Sequence, residues 1–179
     1  VSDHMEYLGL MPRLFAGNER VLATEYGQML YDVSRSGEGG FYKAAMILIA
    51  DLSMNRKKMA VPELEGEIWA AVAETADRHN QPGVFTAFTG YEWTSMIEGD
   101  NLHRVVMYKG DAEDTASMIP VSSLDSPNPE DLWKFLAEYE EKTGDDVFAI
   151  PHNGNLSNGR MFETKRINDI RRIIRRRIR

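Results

Sequence analysis

The chain has 179 residues, enough for one domain with a real core and short for a two-domain enzyme. It contains no cysteine, which excludes disulfides, thiolate metal sites and cysteine nucleophiles and leaves only nitrogen and oxygen donors for any bound metal. The net charge of −7 is unevenly spread: residues 164–179 carry eight basic side chains and one acid, a local +7, so the preceding 163 residues carry −14. The basic segment has no aromatic side chains to stack on bases, so nucleic-acid binding is not expected. It reads as a helical or non-native tail behind a domain spanning 1–163. No run approaches the roughly 18 apolar residues of a membrane span, so no membrane partner is expected.

In chain order, Asp3-His4 opens a polar, turn-rich passage to Asn18. Helical spacing of Leu22, Tyr26, Met29, Leu30 and Val33 predicts a helix over 21–34, broken by the glycines of 36–40. A second helix is expected over 41–54, apolar through Ala45, Met46, Leu48, Ile49 and Leu52. The two together read as a helical insertion or lid. A clearer helix spans 62–79, with Pro62 in its first turn and Glu63, Glu65 and Glu67 at its positive end. His79 falls near its C-terminus, where a structural role suffices.

Residues 84–89 read as a strand that delivers Gly90-Tyr-Glu92, and 104–109 as a second strand with His103 at its entrance. A helix over 130–143, capped by Gly144, then leads to a short strand over 147–150 that ends at Pro151-His152. The order helix, strand, strand, helix, strand predicts an α/β class with largely parallel strands.

Three of the four histidines, His4, His103 and His152, and the glutamate Glu92 each close a short motif, and the last three of these motifs sit at or just after short β-like runs. Neutral imidazole binds divalent metals, and a carboxylate can bridge two ions, so these four residues are the candidate ligands. Asp3 is a candidate to orient the neighbouring imidazole or to act in catalysis. Arg104 is a candidate for an anionic substrate, because guanidinium matches phosphate geometry. The polar loop after His152 offers Asn153 and Asn155 as substrate contacts.

Four stretches, Ser-Asp-His-Met-Glu-Tyr-Leu-Gly, Thr-Gly-Tyr-Glu-Trp-Thr-Ser-Met, Gly-Asp-Asn-Leu-His-Arg and Ala-Ile-Pro-His-Asn-Gly-Asn-Leu-Ser-Asn-Gly, resemble consecutive motifs of the bacterial DUF3604 family. That family is related to the PHP (polymerase and histidinol phosphatase) metal-dependent phosphoesterases. The resemblance implies a distorted seven-stranded α/β barrel with two or three divalent ions, zinc, manganese or iron, at the strand C-terminal ends. By similarity His4 matches the histidine of a Thr-Asp-His motif, Glu92 the bridging glutamate, and His103 and His152 the two later histidine ligands. The implied activity is hydrolysis of a phosphoester or related bond in a small polar or anionic substrate by a metal-bound hydroxide.

Two family motifs find no counterpart. A first strand with a His-x-His pair would precede Val1, and a late Asp-x-His would follow residue 163. The chain is therefore expected to be a central portion of the barrel, incomplete at both ends. Glu92, His103 and His152 would hold one metal, with Glu92 shared with a second ion and His4 serving another. The alternative is a noncatalytic fragment or binding module without a complete metal centre. The compartment, bacterial cytoplasm or periplasm, is left open.

Overall fold

The computed structural model describes residues 2–162 of the chain. The basic segment 164–179 and the boundary drawn at 163 lie outside the described residues.

The expected helix over 21–34 divides into α2 (Glu19–Leu22) and α3 (Glu25–Ser34), preceded by a short α1 (Leu10–Phe15) in the passage expected to be turns. The division has a local cause. Thr24 is extended, accepts the Gly27 N–H at 3.0 Å and donates its hydroxyl to the Val21 carbonyl at 2.8 Å, ending one helix and starting the next. Asn18 caps α2 in the same way, its side chain accepting from Arg20 and Val21. α4 (Gly40–Ser53) packs on α3, and the buried Tyr26 hydroxyl donates to Asp51 at 2.8 Å across that contact. These helices bury Leu10, Leu14, Val21 and Leu30, and stand between the first motif and α5 as the sequence suggests.

α5 (Pro62–His79) begins at Pro62 as predicted, and the Glu65 carboxylate accepts the Val61 N–H at 2.9 Å. Its inner stripe of Leu64, Ile68, Trp69 and Ala73 is buried. Residues 84–89 are not a strand. Gln81 and Phe85 close a small loop by exchanging both backbone hydrogen bonds, at 2.8 and 2.9 Å, and Val84, Phe85 and Phe88 are exposed.

The first strand is instead β1 (Gly90–Trp93), followed by the hairpin β2 (Met96–Ile97) and β3 (Asp100–Asn101), then β4 (Arg104–Tyr108). A short helix α6 (Ala112–Ala116) and the longer α7 (Pro129–Thr143) lead to β5 (Val147–Pro151), with 3-10 turns at Gly154–Leu156 and Arg160–Phe162. The helix expected over 130–143 forms and ends at Gly144, φ 80°, as expected; it starts one residue earlier, at Pro129, with Asn128 accepting the Glu130 N–H.

The sheet has the order β1-β4-β5 and both pairings are antiparallel, which corrects the expectation of largely parallel strands. A parallel partner needs a crossover of a dozen or more residues. The ten residues from Thr94 to His103 hold only the β2–β3 hairpin and turn the chain straight back. The one parallel pairing among the described residues is the bridge between His4 and Glu92, made by Glu92 N–H to the Asp3 carbonyl at 2.8 Å and Met5 N–H to the Glu92 carbonyl at 2.9 Å. The first motif is thereby laid along the far side of β1. The chain is thus a mixed α/β structure with an open sheet, and no closed barrel forms among the described residues.

The two sheet faces differ sharply. Tyr91, Trp93, Val106 and Tyr108 point to the buried face and meet Trp69 of α5 and Tyr139 of α7. Ring centroids lie 5.8 Å apart for Trp69–Tyr91, 5.7 Å for Trp69–Tyr108 and 4.7 Å for Tyr108–Tyr139, all edge-on as the ring quadrupoles prefer. Trp69 also donates its indole N–H to the Thr115 carbonyl of α6 at 3.0 Å. The opposite face bears Glu92.

Candidate metal centre

Strand alternation decides which side chains share that second face. Glu92 is opposite Val105 in β4, and Val105 is opposite Ile150 in β5. Side chains two residues apart on a strand point the same way, so His103 aligns with Val105 and His152 with Ile150. The β4–β5 ladder runs out at Arg104 opposite Pro151, and one further hydrogen bond, His152 N–H to the His103 carbonyl at 3.3 Å, extends it. Two histidines are thereby set opposite each other at the sheet end, their rings meeting edge-on with centroids 5.7 Å apart.

The three side chains converge. His103 Nδ1 and His152 Nε2 each lie 2.9 Å from Glu92 Oε1. Among the described residues Glu92, His103 and His152 form a group that could hold a metal ion, with one donor atom from each lying within 4.8 Å of the others. The donor chemistry fits. Two imidazoles and a carboxylate, with no thiol in the chain, suit a borderline or hard divalent ion. His103 Nε2 is buried and has no hydrogen-bond partner among the described residues, a ring edge that is costly to leave unmatched.

Burial grades across the group and gives it a direction. The side chains of Glu92 and His103 are 13% and 12% exposed, that of His152 34%, and that of His4 59%, so the cluster opens to solvent past His4 and His152. Burial lowers the His103 pKa below the ordinary histidine value, against the opposing hydrogen bond and charge of Glu92. A neutral imidazole at neutral pH is the form that binds metal.

His4 stands beside this group and not within it. Its Nδ1 is 2.6 Å from Thr94 Oγ1 and 3.8 Å from Glu92 Oε2, and its ring meets His103 edge-on at 6.3 Å. Asp3 contributes its main-chain carbonyl to β1. Asn153, at φ 56°, and Asn155 are exposed in the 3-10 turn that follows His152. His79 is remote, its Nδ1 2.8 Å from the Thr75 carbonyl one turn back in α5.

Arg104 is a correction. One position along from His103, it falls on the opposite face of the sheet, where it is buried. Its guanidinium packs against Trp93 at 5.8 Å and Trp133 at 5.1 Å, and Nη1 donates to the Leu102 carbonyl at 2.5 Å. A group packed between two indoles behind the sheet does not reach a substrate at the histidine end.

Sequence reasoning passed over the supports of the site. Glu6 Oε1 accepts the backbone N–H groups of Thr94 at 3.2 Å and Ser123 at 2.9 Å, and the Ser123 hydroxyl donates to the Thr94 carbonyl at 2.9 Å. Thr94 in turn holds His4. Asn101 Oδ1 accepts the His103 N–H at 3.1 Å and so sets the residue where β4 begins. Both Glu6 and Asn101 lie inside the quoted motifs, which was the available signal.

A mixed α/β fold with a two-histidine, one-carboxylate cluster at the end of an antiparallel sheet is the class of molecule that these features define. Its sequence matches, over residues 1–175, the family described as a protein of unknown function, DUF3604, and the chain belongs to that family. The match runs past residue 163 into the basic segment. No curated protein and no solved structure matches the chain.

Proposed function

We propose that the chain carries the metal-binding part of a metal-dependent hydrolase of the PHP type, acting on phosphoesters or a related bond in a small polar or anionic substrate. The observation that supports this reading is the meeting of His103 Nδ1 and His152 Nε2 at one carboxylate oxygen, Glu92 Oε1, 2.9 Å from each. Glu92, His103 and His152 would hold one divalent ion, zinc, manganese or iron, and the open sheet would be part of a PHP-like barrel. Bound there, such an ion supplies Lewis acidity and a water of lowered pKa.

The side chains divide the remaining work. Glu92, fixed by backbone bonds to Asp3 and Met5, orients both imidazoles through one oxygen and directs the other toward His4. Burial lowers the His103 pKa and so favours its neutral form. His4, exposed and with Nδ1 engaged by Thr94, would offer its other ring nitrogen to a second ion or to the substrate. Asn153 and Asn155, exposed just after His152 in the chain, would donate amide hydrogen bonds to substrate oxygens.

The reading is tested by incubating the protein with zinc or manganese, removing excess, measuring bound metal, and assaying hydrolysis of p-nitrophenyl phosphate and its diester. Stoichiometric metal and a hydrolytic rate are expected for the parent. Glu92→Gln and His152→Ala are expected to lose both. A parent that retains no metal, or variants that take it up as the parent does, would sink the proposal.

A further inference from the structure

The β2–β3 hairpin is joined to the loop that follows His152 by a buried carboxylate. Its turn, Glu98 at φ 55° and Gly99 at φ 85°, has both central residues left-handed, the two-residue form that matches strand twist. This geometry presents Asp100, only 6% exposed, toward the far loop. Asp100 Oδ1 accepts from Asn158 Nδ2 at 2.5 Å, and Oδ2 pairs with Arg160 Nε at 2.6 Å. Arg160 also pairs with Glu98 across the same turn. Both carboxylate oxygens are engaged, one by a charged fork.

The position of this contact matters more than its strength. The hairpin leaves directly from β1, which carries Glu92, and returns directly into His103, whose N–H is held by Asn101, the neighbour of Asp100. The loop it grips begins at His152. Among the described residues, the backbone ties His152 to the other two by the last β5 residues and the long 3.3 Å bond to the His103 carbonyl. One hairpin therefore connects all three converging side chains.

We infer that Asp100 is a positioning residue: through Asn158 and Arg160 it fixes the loop that bears His152, and so sets the His152 imidazole against Glu92. Its effect on metal affinity rests on the reading of Glu92, His103 and His152 as ligands; its effect on the His152 ring does not. Groups that orient ligands in this way typically change metal affinity by about 10–100-fold when removed.

The test uses the full chain and four proteins: parent, Asp100→Asn, Arg160→Gln and the double variant. Zinc affinity is measured by competition with a chromophoric chelator, well below each thermal midpoint, and the imidazole nitrogens are followed by NMR without metal. Asp100→Asn is expected to weaken zinc by about 10-fold or more, and the double variant to bind no more weakly than the weaker single, because both break one contact. The His152 ring signals should shift or broaden in Asp100→Asn while those of His79 stay in place. Zinc affinity unchanged alongside a lowered thermal midpoint would assign Asp100 a purely structural role and overturn the inference. If the parent takes up no zinc, the metal reading falls, and the ring spectra decide the clamp alone: unchanged His152 signals overturn it, altered ones support it. Should Asp100→Asn fail to fold, Asn158→Ala, which removes one of the two contacts and leaves the ion pair, is judged by the same two readouts.

Discussion

His103 and His152 face each other where the β4–β5 ladder ends, joined by one backbone hydrogen bond of 3.3 Å and by a shared approach of 2.9 Å to Glu92 Oε1. The pairing is antiparallel, so neither residue occupies the position that a parallel sheet would give it. Residues 49 positions apart are thus brought to one carboxylate from the end of one strand pair.

Metal binding to this group should stabilise the fold. A ligand that binds only the folded state at about 100 times its Kd adds roughly 2.7 kcal/mol. At about 2–4 °C per kcal/mol for a chain of this size, zinc should raise the thermal midpoint by roughly 5–11 °C. His152→Ala should lose that rise. Calorimetric scans with and without zinc check it, and an equal rise in the variant would place the zinc elsewhere.

Arg104→Lys should lower stability and leave zinc affinity intact. Lysine keeps the charge and loses the planar stacking between Trp93 and Trp133, along with the geometry of the bond to the Leu102 carbonyl. The expected loss is about 1–3 kcal/mol, read from urea midpoints. Unchanged stability with weakened substrate binding would return Arg104 to the site.

Asp125 sets an acid-side dependence of stability. Burial would raise its carboxyl pKa, but hydrogen bonds from Lys57 and from the Ser122 N–H and hydroxyl outweigh this and hold it below the ordinary 3.8. A carboxylate whose folded pKa is depressed stabilises the fold above its unfolded pKa, and that contribution is lost as pH falls through the folded value. Asp125→Asn should therefore be less stable at about pH 7, and the difference should shrink below pH 3.8. The group is a third exposed, so about 1 kcal/mol is expected. A difference that persists unchanged into acid would exclude the charge as its cause.

Gly90→Ala should disturb the site from behind. A Cβ at Gly90 would lie 2.5 Å from the Val106 carbonyl oxygen, so β1 must move off β4 and carry Glu92, two residues on, with it. A cost of about 1–3 kcal/mol and weaker zinc binding are expected together. Gly66→Ala in α5 meets only the flexible Ile119 side chain, at 3.3 Å, and should be neutral or stabilising by up to about 1 kcal/mol. Matched effects at the two glycines would contradict the packing argument.

Local signals were read well wherever the residues decide their own conformation. Pro62 and Gly144 bound helices where their backbone preferences require it. Thr24 shows the limit: its hydroxyl cap splits a helix whose apolar spacing runs on unbroken. The run 84–89 looks like a strand because of its apolar residues, yet Phe85 closes a loop back on Gln81, and Val84, Phe85 and Phe88 are left exposed. Strand direction was misread for a related reason. Element order suggests parallel pairing, while the short return between β1 and β4 permits only the antiparallel one.

The amino-acid sequence by itself determined the donor chemistry: histidine and carboxylate, no cysteine, in motifs that also place the chain in its family. The family resemblance already grouped Glu92, His103 and His152; the tertiary structure brings them together and decides which neighbours stand apart. Side chains alternate across a strand, so a shift of one position separates His103, beside Glu92, from Arg104, buried between two tryptophans on the far face. Register across strands distant in sequence is set by backbone pairing and burial, and no single motif contains it.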